Sequence, residues 1–174
     1  MVNQKGFTLV ELLIVIAIVA ILAVVAVPNF NETMQRNRMV ANANEILSAI
    51  QYARAEALRQ GGRVFLAPAD GTNWPNGLVV YLDADDDDTL DTGEEIRVWQ
   101  ALASGSALSA VAGATAIEFD SRGFAAANGT GTPPSDTEEA FKLCDNRDDE
   151  TGRYINLLIS GSAWIGDADD CNGP

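Results

Sequence analysis

The sequence has no histidine and only two cysteines. Without histidine there is no Ser-His-acid triad and no Cys-His pair, and the commonest zinc ligand is missing. No nucleophile motif, phosphate loop or dinucleotide fingerprint is present. Paired carboxylates are plentiful, but they lie in acidic runs where solvation is their ordinary role. These absences argue against an enzyme. Basic residues are scarce as well: 11 Lys and Arg stand against 25 Asp and Glu, a formal net charge of −14. The imbalance is local. Residues 1–63 carry six basic and four acidic groups, whereas residues 64–174 carry five and twenty-one. Such a field repels nucleic acid and anionic lipid head groups and attracts cations. Keeping the domain soluble is its plainer use.

Long apolar runs are confined to one place. From Leu12 to Val27 no side chain is polar, and with Phe7–Glu11 the segment reaches twenty-one residues. As a helix it would be roughly 31 Å long, about one hydrocarbon thickness. Glu11 is its single charge. An acid at the bilayer centre costs about 2.5–3.5 kcal/mol on insertion scales, so it needs a partner. A cleaved secretory signal would share the basic Lys5 and the apolar core. Secretory cores do not usually begin with Glu, however, and the helical pattern here continues past Val27. An ordinary membrane anchor leaves Glu11 unexplained.

The short leader MVNQKG, followed by Phe7-Thr8-Leu9-Val10-Glu11, the apolar run and Pro28, resembles the class III signal of type IV pilins and pseudopilins. The resemblance implies cleavage by a prepilin peptidase after Gly6 and N-methylation of Phe7. It implies that Glu11 meets the N-terminal ammonium of Phe7 on a neighbouring subunit as the subunit docks into a filament. Assembly would then supply the counter-charge in a low-dielectric setting.

Pro28 interrupts the hydrogen-bond ladder of a helical pattern, so a kink is expected near Ala26–Asn29. Beyond it, Asn31–Gln60 reads as an amphipathic helix. Val40, Ala43, Leu47, Ile50, Ala53 and Ala57 recur at spacings of three and four, with Met39 and Ile46 beside them. Gly61-Gly62 should stop it. The remainder reads as strands: Arg63–Ala67, Gly77–Leu82, Glu95–Gln100, Thr115–Asp120, Ala140–Leu143, Tyr154–Ser160 and Ala163–Ile165. Ala101–Ala114 is either loop or weak strand, and Gly129–Asp136 reads as a mobile loop. The expected fold class is α+β: a long kinked N-terminal helix packed on a C-terminal antiparallel β domain. The divisions are a leader at 1–6, a transmembrane and filament-core half-helix at 7–28, an amphipathic half-helix at 29–60 and a β domain at 63–174.

Further segments are similar to the GspH/FimT family of minor pilins and pseudopilins. They include Asn37-Arg38, Ala43–Leu47, Ala53–Ala57, Trp74–Tyr81, Gly93–Ile96, Ile117–Phe119 with Arg122-Gly123, Phe141–Asp145 and Gly152–Ile155. The resemblance implies a type IV pilin-like fold and a structural role. The favoured role is a minor pilin, FimU-like, that primes a type IV pilus and sits in or near its tip. The alternatives are a GspH-like pseudopilin of type II secretion and a FimT-like DNA-uptake pilin. Partners would be major and minor pilins or pseudopilins, prepilin peptidase, and the inner membrane before assembly. The β domain would lie in the periplasm and later at the cell surface. Pilins often close a C-terminal loop with a disulfide, and the expected pair is Cys144–Cys171, worth roughly 3–4 kcal/mol by chain entropy. DNA-binding members carry Gly-Arg-x-Arg near the C-terminus. Here Gly161-Ser162-Ala163-Trp164 is followed by Asp167, Asp169 and Asp170, so no nucleic acid is expected as a partner. Trp164 is assigned to the core rather than to an exposed contact.

The remaining candidate site is Asp83–Glu94. On the twelve-residue calcium-loop template Asp83, Asp85 and Asp87 take positions 1, 3 and 5, Thr89 position 7, Asp91 position 9 and Glu94 position 12. Leu90 is the apolar residue at position 8. Position 6 is Asp88 instead of Gly, and its flanks read as strands. The competing reading is a solvated acidic turn. No cofactor is required, and Ca²⁺ is an optional one.

Overall fold

The computed structural model describes residues 6–103, 105–110, 113–128, 139–145, 152–168 and 171; of these, the side chains of 24–29, 127–128 and 139 are outside the description. The kink expected near Pro28 therefore rests on undescribed side chains, and the leader before Gly6 and the loop Gly129–Asp136 lie outside the described residues. The chain divides into two compact units, residues 1–37 and 38–174.

One helix, α1, runs from Leu9 to Gln60 and contributes to both units. It stops where the pattern predicts: Gly61 takes a φ of +67°, and its N–H reaches the Ala57 carbonyl at 2.9 Å. A left-handed residue directly after the helix costs least when it is glycine.

Within unit 38–174 the strands form two antiparallel sheets. The strands are β1 (Val64–Pro68), β2 (Leu78–Leu82), β3 (Glu95–Trp99), β4 (Ser106–Ala110), β5 (Ala116–Phe119), β6 (Ala125–Asn128), β7 (Glu139–Asp145), β8 (Arg153–Leu157) and β9 (Ala163–Asp167). The first sheet has the order β3-β2-β1-β5-β6 and the second β4-β7-β8-β9. Period-two alternation sorts their side chains. Val64, Leu66, Leu78, Val80, Ile117 and Phe119 join the main core with Met39, Ala43, Ile46, Ile50, Ala53 and Ala57 of α1. The intervening Phe65, Val79, Tyr81 and Ala116 make a second cluster, against which Leu90 packs. Phe65 and Tyr81 are opposite in register and stack at 5.2 Å. Trp74 sits edge-on to Phe141 and donates its indole N–H to the Ala114 carbonyl at 3.1 Å.

Three readings of the sequence need correction. Val40 is exposed and Leu47 only partly buried, so that Met39 and Ile46 take their places in the buried stripe beside Ala43, Ile50, Ala53 and Ala57. Trp164 is 45% exposed, not core, because its strand β9 is the outer strand of the second sheet. β6 was not predicted, since Ala125–Asn128 has too little side chain to show alternation; its pairing with β5 creates the strand. The ambiguous Ala101–Ala114 stretch contributes β4, tied to the helix by the Asn42 amide donating to Ser106 Oγ at 2.8 Å.

Candidate functional site

The first candidate is the start of α1. The Thr8 N–H donates to Glu11 Oε2 at 2.9 Å and its hydroxyl donates to the same oxygen at 3.1 Å. The Glu11 N–H donates back to Thr8 Oγ1 at 3.2 Å. This reciprocal pair is a capping box, which satisfies helix N–H groups that have no intrahelical acceptor. Thr8 is a capping residue the sequence reading missed, although the Thr-x-x-Glu spacing before an apolar run was its signal. From Leu9 to Leu22 every large apolar side chain is more than half exposed. A helix that is apolar all round is built for burial. The described apolar stretch, Leu9 to Ala23, is about 22 Å long. Among the described residues no helix is long and apolar enough to cross a membrane; the span expected over 7–28 runs on into undescribed side chains.

The second candidate is the acidic loop between β2 and β3. Asp83, Asp85 and Asp87 bring carboxylate oxygens within 4.8 Å of one another, with Asp83 buried and the others exposed. Oxygens that far apart can share one hard cation at about 2.3–2.6 Å. The other predicted ligands do not join them. Glu94 accepts the N–H groups of Ala84 at 2.9 Å and Asp91 at 3.0 Å. The Thr89 hydroxyl donates to Asp87 Oδ1 at 2.7 Å. Asp91 is outside the converging group. Asp88, where the template has glycine, does adopt the required left-handed backbone, with φ of +62°.

The loop divides its charge between two places. Arg63, just after α1, takes Asp83 Oδ2 at 3.1 Å, Asp86 Oδ1 at 3.4 Å, Asp88 Oδ1, and Glu118 Oε1 at 2.7 Å from β5. The guanidinium also lies 5.1 Å from the Phe65 ring centre. Hydrogen bonding to Glu118 leads the causes that raise its pKa, so it stays cationic throughout. Asp85 is left with like charges. The neighbouring Asp87 carboxylate, above all, pushes its pKa up. The hydroxyl and N–H of Thr89 push that of Asp87 down. Nothing local in the sequence signals Arg63: it lies 20 residues from Asp83 and 55 from Glu118.

The third feature is covalent. Cys144 of β7 is bonded to Cys171, closing the predicted C-terminal loop.

Residues 1–27 match the prokaryotic N-terminal methylation motif. Residues 42–163 match the family model described as type II transport protein GspH. The chain belongs to the GspH family. This GspH-family chain is 39% identical to a fimbrial protein of Pseudomonas aeruginosa over 61 residues, 35% of the chain and 39% of that relative. The chain thus spans about two-fifths of that relative's length. Among solved structures it is similar to the type IV minor pilin FimU of Pseudomonas aeruginosa in two crystal forms. The TM-scores are 0.60 and 0.56 at 21% and 20% identity, covering 76% and 72% of the chain and 90% of FimU in each case. At that identity the likeness establishes the fold: a helix on antiparallel sheets, as in type IV pilins. The methylation motif marks the chain for pilin-type processing.

Proposed function

We propose that this chain is a structural minor pilin of a type IV pilus, cut between Gly6 and Phe7, priming assembly in or near the tip. The observation that carries the reading is the contrast within α1. An apolar surface left exposed among the described residues of its unit begins at a single acid held at the helix N-terminus. In hydrocarbon or in a bundle of like helices that surface is buried. The ammonium created at Phe7 is the counter-charge Glu11 would need there. Thr8 keeps Glu11 directed at the helix start until a neighbour's ammonium competes for it. The 7–28 half would wait in the inner membrane, and the β domain would present its sides to other pilins. The FimU likeness favours this role.

Glu11→Ala should leave the chain in the membrane fraction and lower its incorporation into filaments by about tenfold or more, read by quantitative mass spectrometry of sheared filaments. Unchanged incorporation would end the registry role. A second reading, a pseudopilin of type II secretion, is favoured by the description of the family model. Loss of secretion with normal piliation in a deletion strain would select it.

The acidic loop adds a subsidiary proposal: Asp83, Asp85 and Asp87 hold Ca²⁺. The convergence of their oxygens supports it, and Arg63 competes with the ion for Asp83.

A further inference from the structure

A groove of about 420 Å³ runs beside the C-terminal part of α1, between Gln51, Arg54, Ala55 and Leu58 on one side and, on the other, Gly161 and Ser162 of the β8–β9 connection with Ala163 at the start of β9. We propose that it binds an acidic segment of a neighbouring subunit, with a carboxylate on Arg54 and an adjoining apolar side chain on Leu58. The proposal rests on the assembly reading above, for which it names a lateral contact.

Charge carries the argument. In a chain with 25 acidic and 11 basic residues, Arg54 is the only charged residue lining this groove among the described residues. Its Nε donates to the Gly123 carbonyl at 3.1 Å and its Nη2 to the Ser160 carbonyl at 2.8 Å. Both acceptors are neutral, and among the described residues Arg54 has no ion-pair partner. A guanidinium has five N–H donors. Two are used, on Nε and Nη2, which leaves Nη1 without a partner among the described residues and able to donate to a carboxylate.

The arginine is also held in place before any ligand arrives. Gly123 and Gly161 have φ of +79° and +77°. A Cβ at 161 would stand 2.7 Å from Arg54 Nε, and one at 123 would stand 3.1 Å from it. Glycine at both positions lets the two connections close on the side chain. Ordering an arginine in advance lowers the entropy cost of binding. Beside it Leu58 is 52% exposed on the groove wall. A nucleic acid is a poor occupant, because phosphate binding grows with the number of cations and this groove offers one.

The test uses the full mature chain in detergent micelles, following the Arg54 Nε–H resonance by NMR. The probe is acetyl-Leu-Asp-Thr-Gly-Glu-Glu-amide, an acidic segment with one apolar residue that has the sequence of residues 90–95, compared with its Asn/Gln counterpart. The acidic peptide should shift the resonance to saturation and bind at least tenfold more tightly than the neutral one. Ala55→Trp fills the groove from an exposed helix position, leaves the Arg54 clamp untouched, and should abolish the shift. Equal binding of the two peptides, tighter binding of an oligonucleotide of matched charge, or indifference to Ala55→Trp would overturn the proposal. A chain that joins filaments yet ignores the peptide would defeat this contact and leave the assembly reading standing.

Discussion

Gly152 lies directly beneath Cys171. A Cβ added at 152 would stand 2.7 Å from the Cys171 sulfur, 3.1 Å from that of Cys144 and 2.7 Å from the Leu143 carbonyl oxygen. The Gly152 carbonyl also accepts the N–H of Ala168 at 3.1 Å, at the end of β9. The disulfide therefore closes over a backbone that must carry no side chain.

Gly152→Ala is expected to force these groups apart, costing about 1–3 kcal/mol as overpacking does, and to leave part of the cysteine unpaired. Mass after alkylation, with and without reductant, measures the free thiol. A urea midpoint measures the stability. A fully closed disulfide with the wild-type midpoint would contradict the packing argument.

Calcium should raise the thermal midpoint of the chain relative to chelator, because a ligand that binds only the folded state stabilises it, by about 2.7 kcal/mol at a hundred times its Kd. Arg63→Gln removes the fixed cation shared by Asp83, Asp86 and Asp88. The calcium increment should then be larger than in wild type. Equal midpoints with and without calcium, in both proteins, would reject the calcium proposal and leave the loop as an arginine-fastened acidic turn.

Asp70 organises the turn after β1. Its carboxylate accepts the N–H groups of Asn73 and Thr72 at 2.7 and 2.9 Å and the side-chain amides of Asn76 and Asn73 at 2.7 and 3.0 Å. The Asn73 N–H leads the causes that hold its pKa well below the ordinary 3.8. A depressed acid contributes stability that is present above its unfolded pKa and lost as pH falls through the folded one. The window thus opens near pH 4 and extends downward. Asp70→Asn should flatten the decline of the thermal midpoint in that window. An unchanged pH profile would show that these hydrogen bonds are not maintained in solution.

Local patterns were legible where one short segment contains its own cause. The helix stop needs only Gly61. The spacing of Ala43, Ile50, Ala53 and Ala57 shows the buried stripe because it repeats at three and four residues, the period of one helix face. β1 and β2 were readable from β-branched and aromatic runs, whereas β6 was not, since its alanines take their pattern from β5. Trp164 is exposed, not core, because exposure depends on which strand lies at the edge of a sheet, and strand order is not written in the sequence.

The sequence by itself determined the N-terminal methylation motif, the apolar helix with its one acid, the end of that helix, the cysteine pair and the family. Each depends on residue types within a few turns of chain, or on a motif carried in order. Only the tertiary structure decided where charge is balanced. Arg63 finds Glu118 from 55 residues away, and Arg54 is clamped by carbonyls 69 and 106 residues distant. Ion pairs and hydrogen bonds depend on separations of a few ångströms, and sequence order fixes no such distance between residues on different strands.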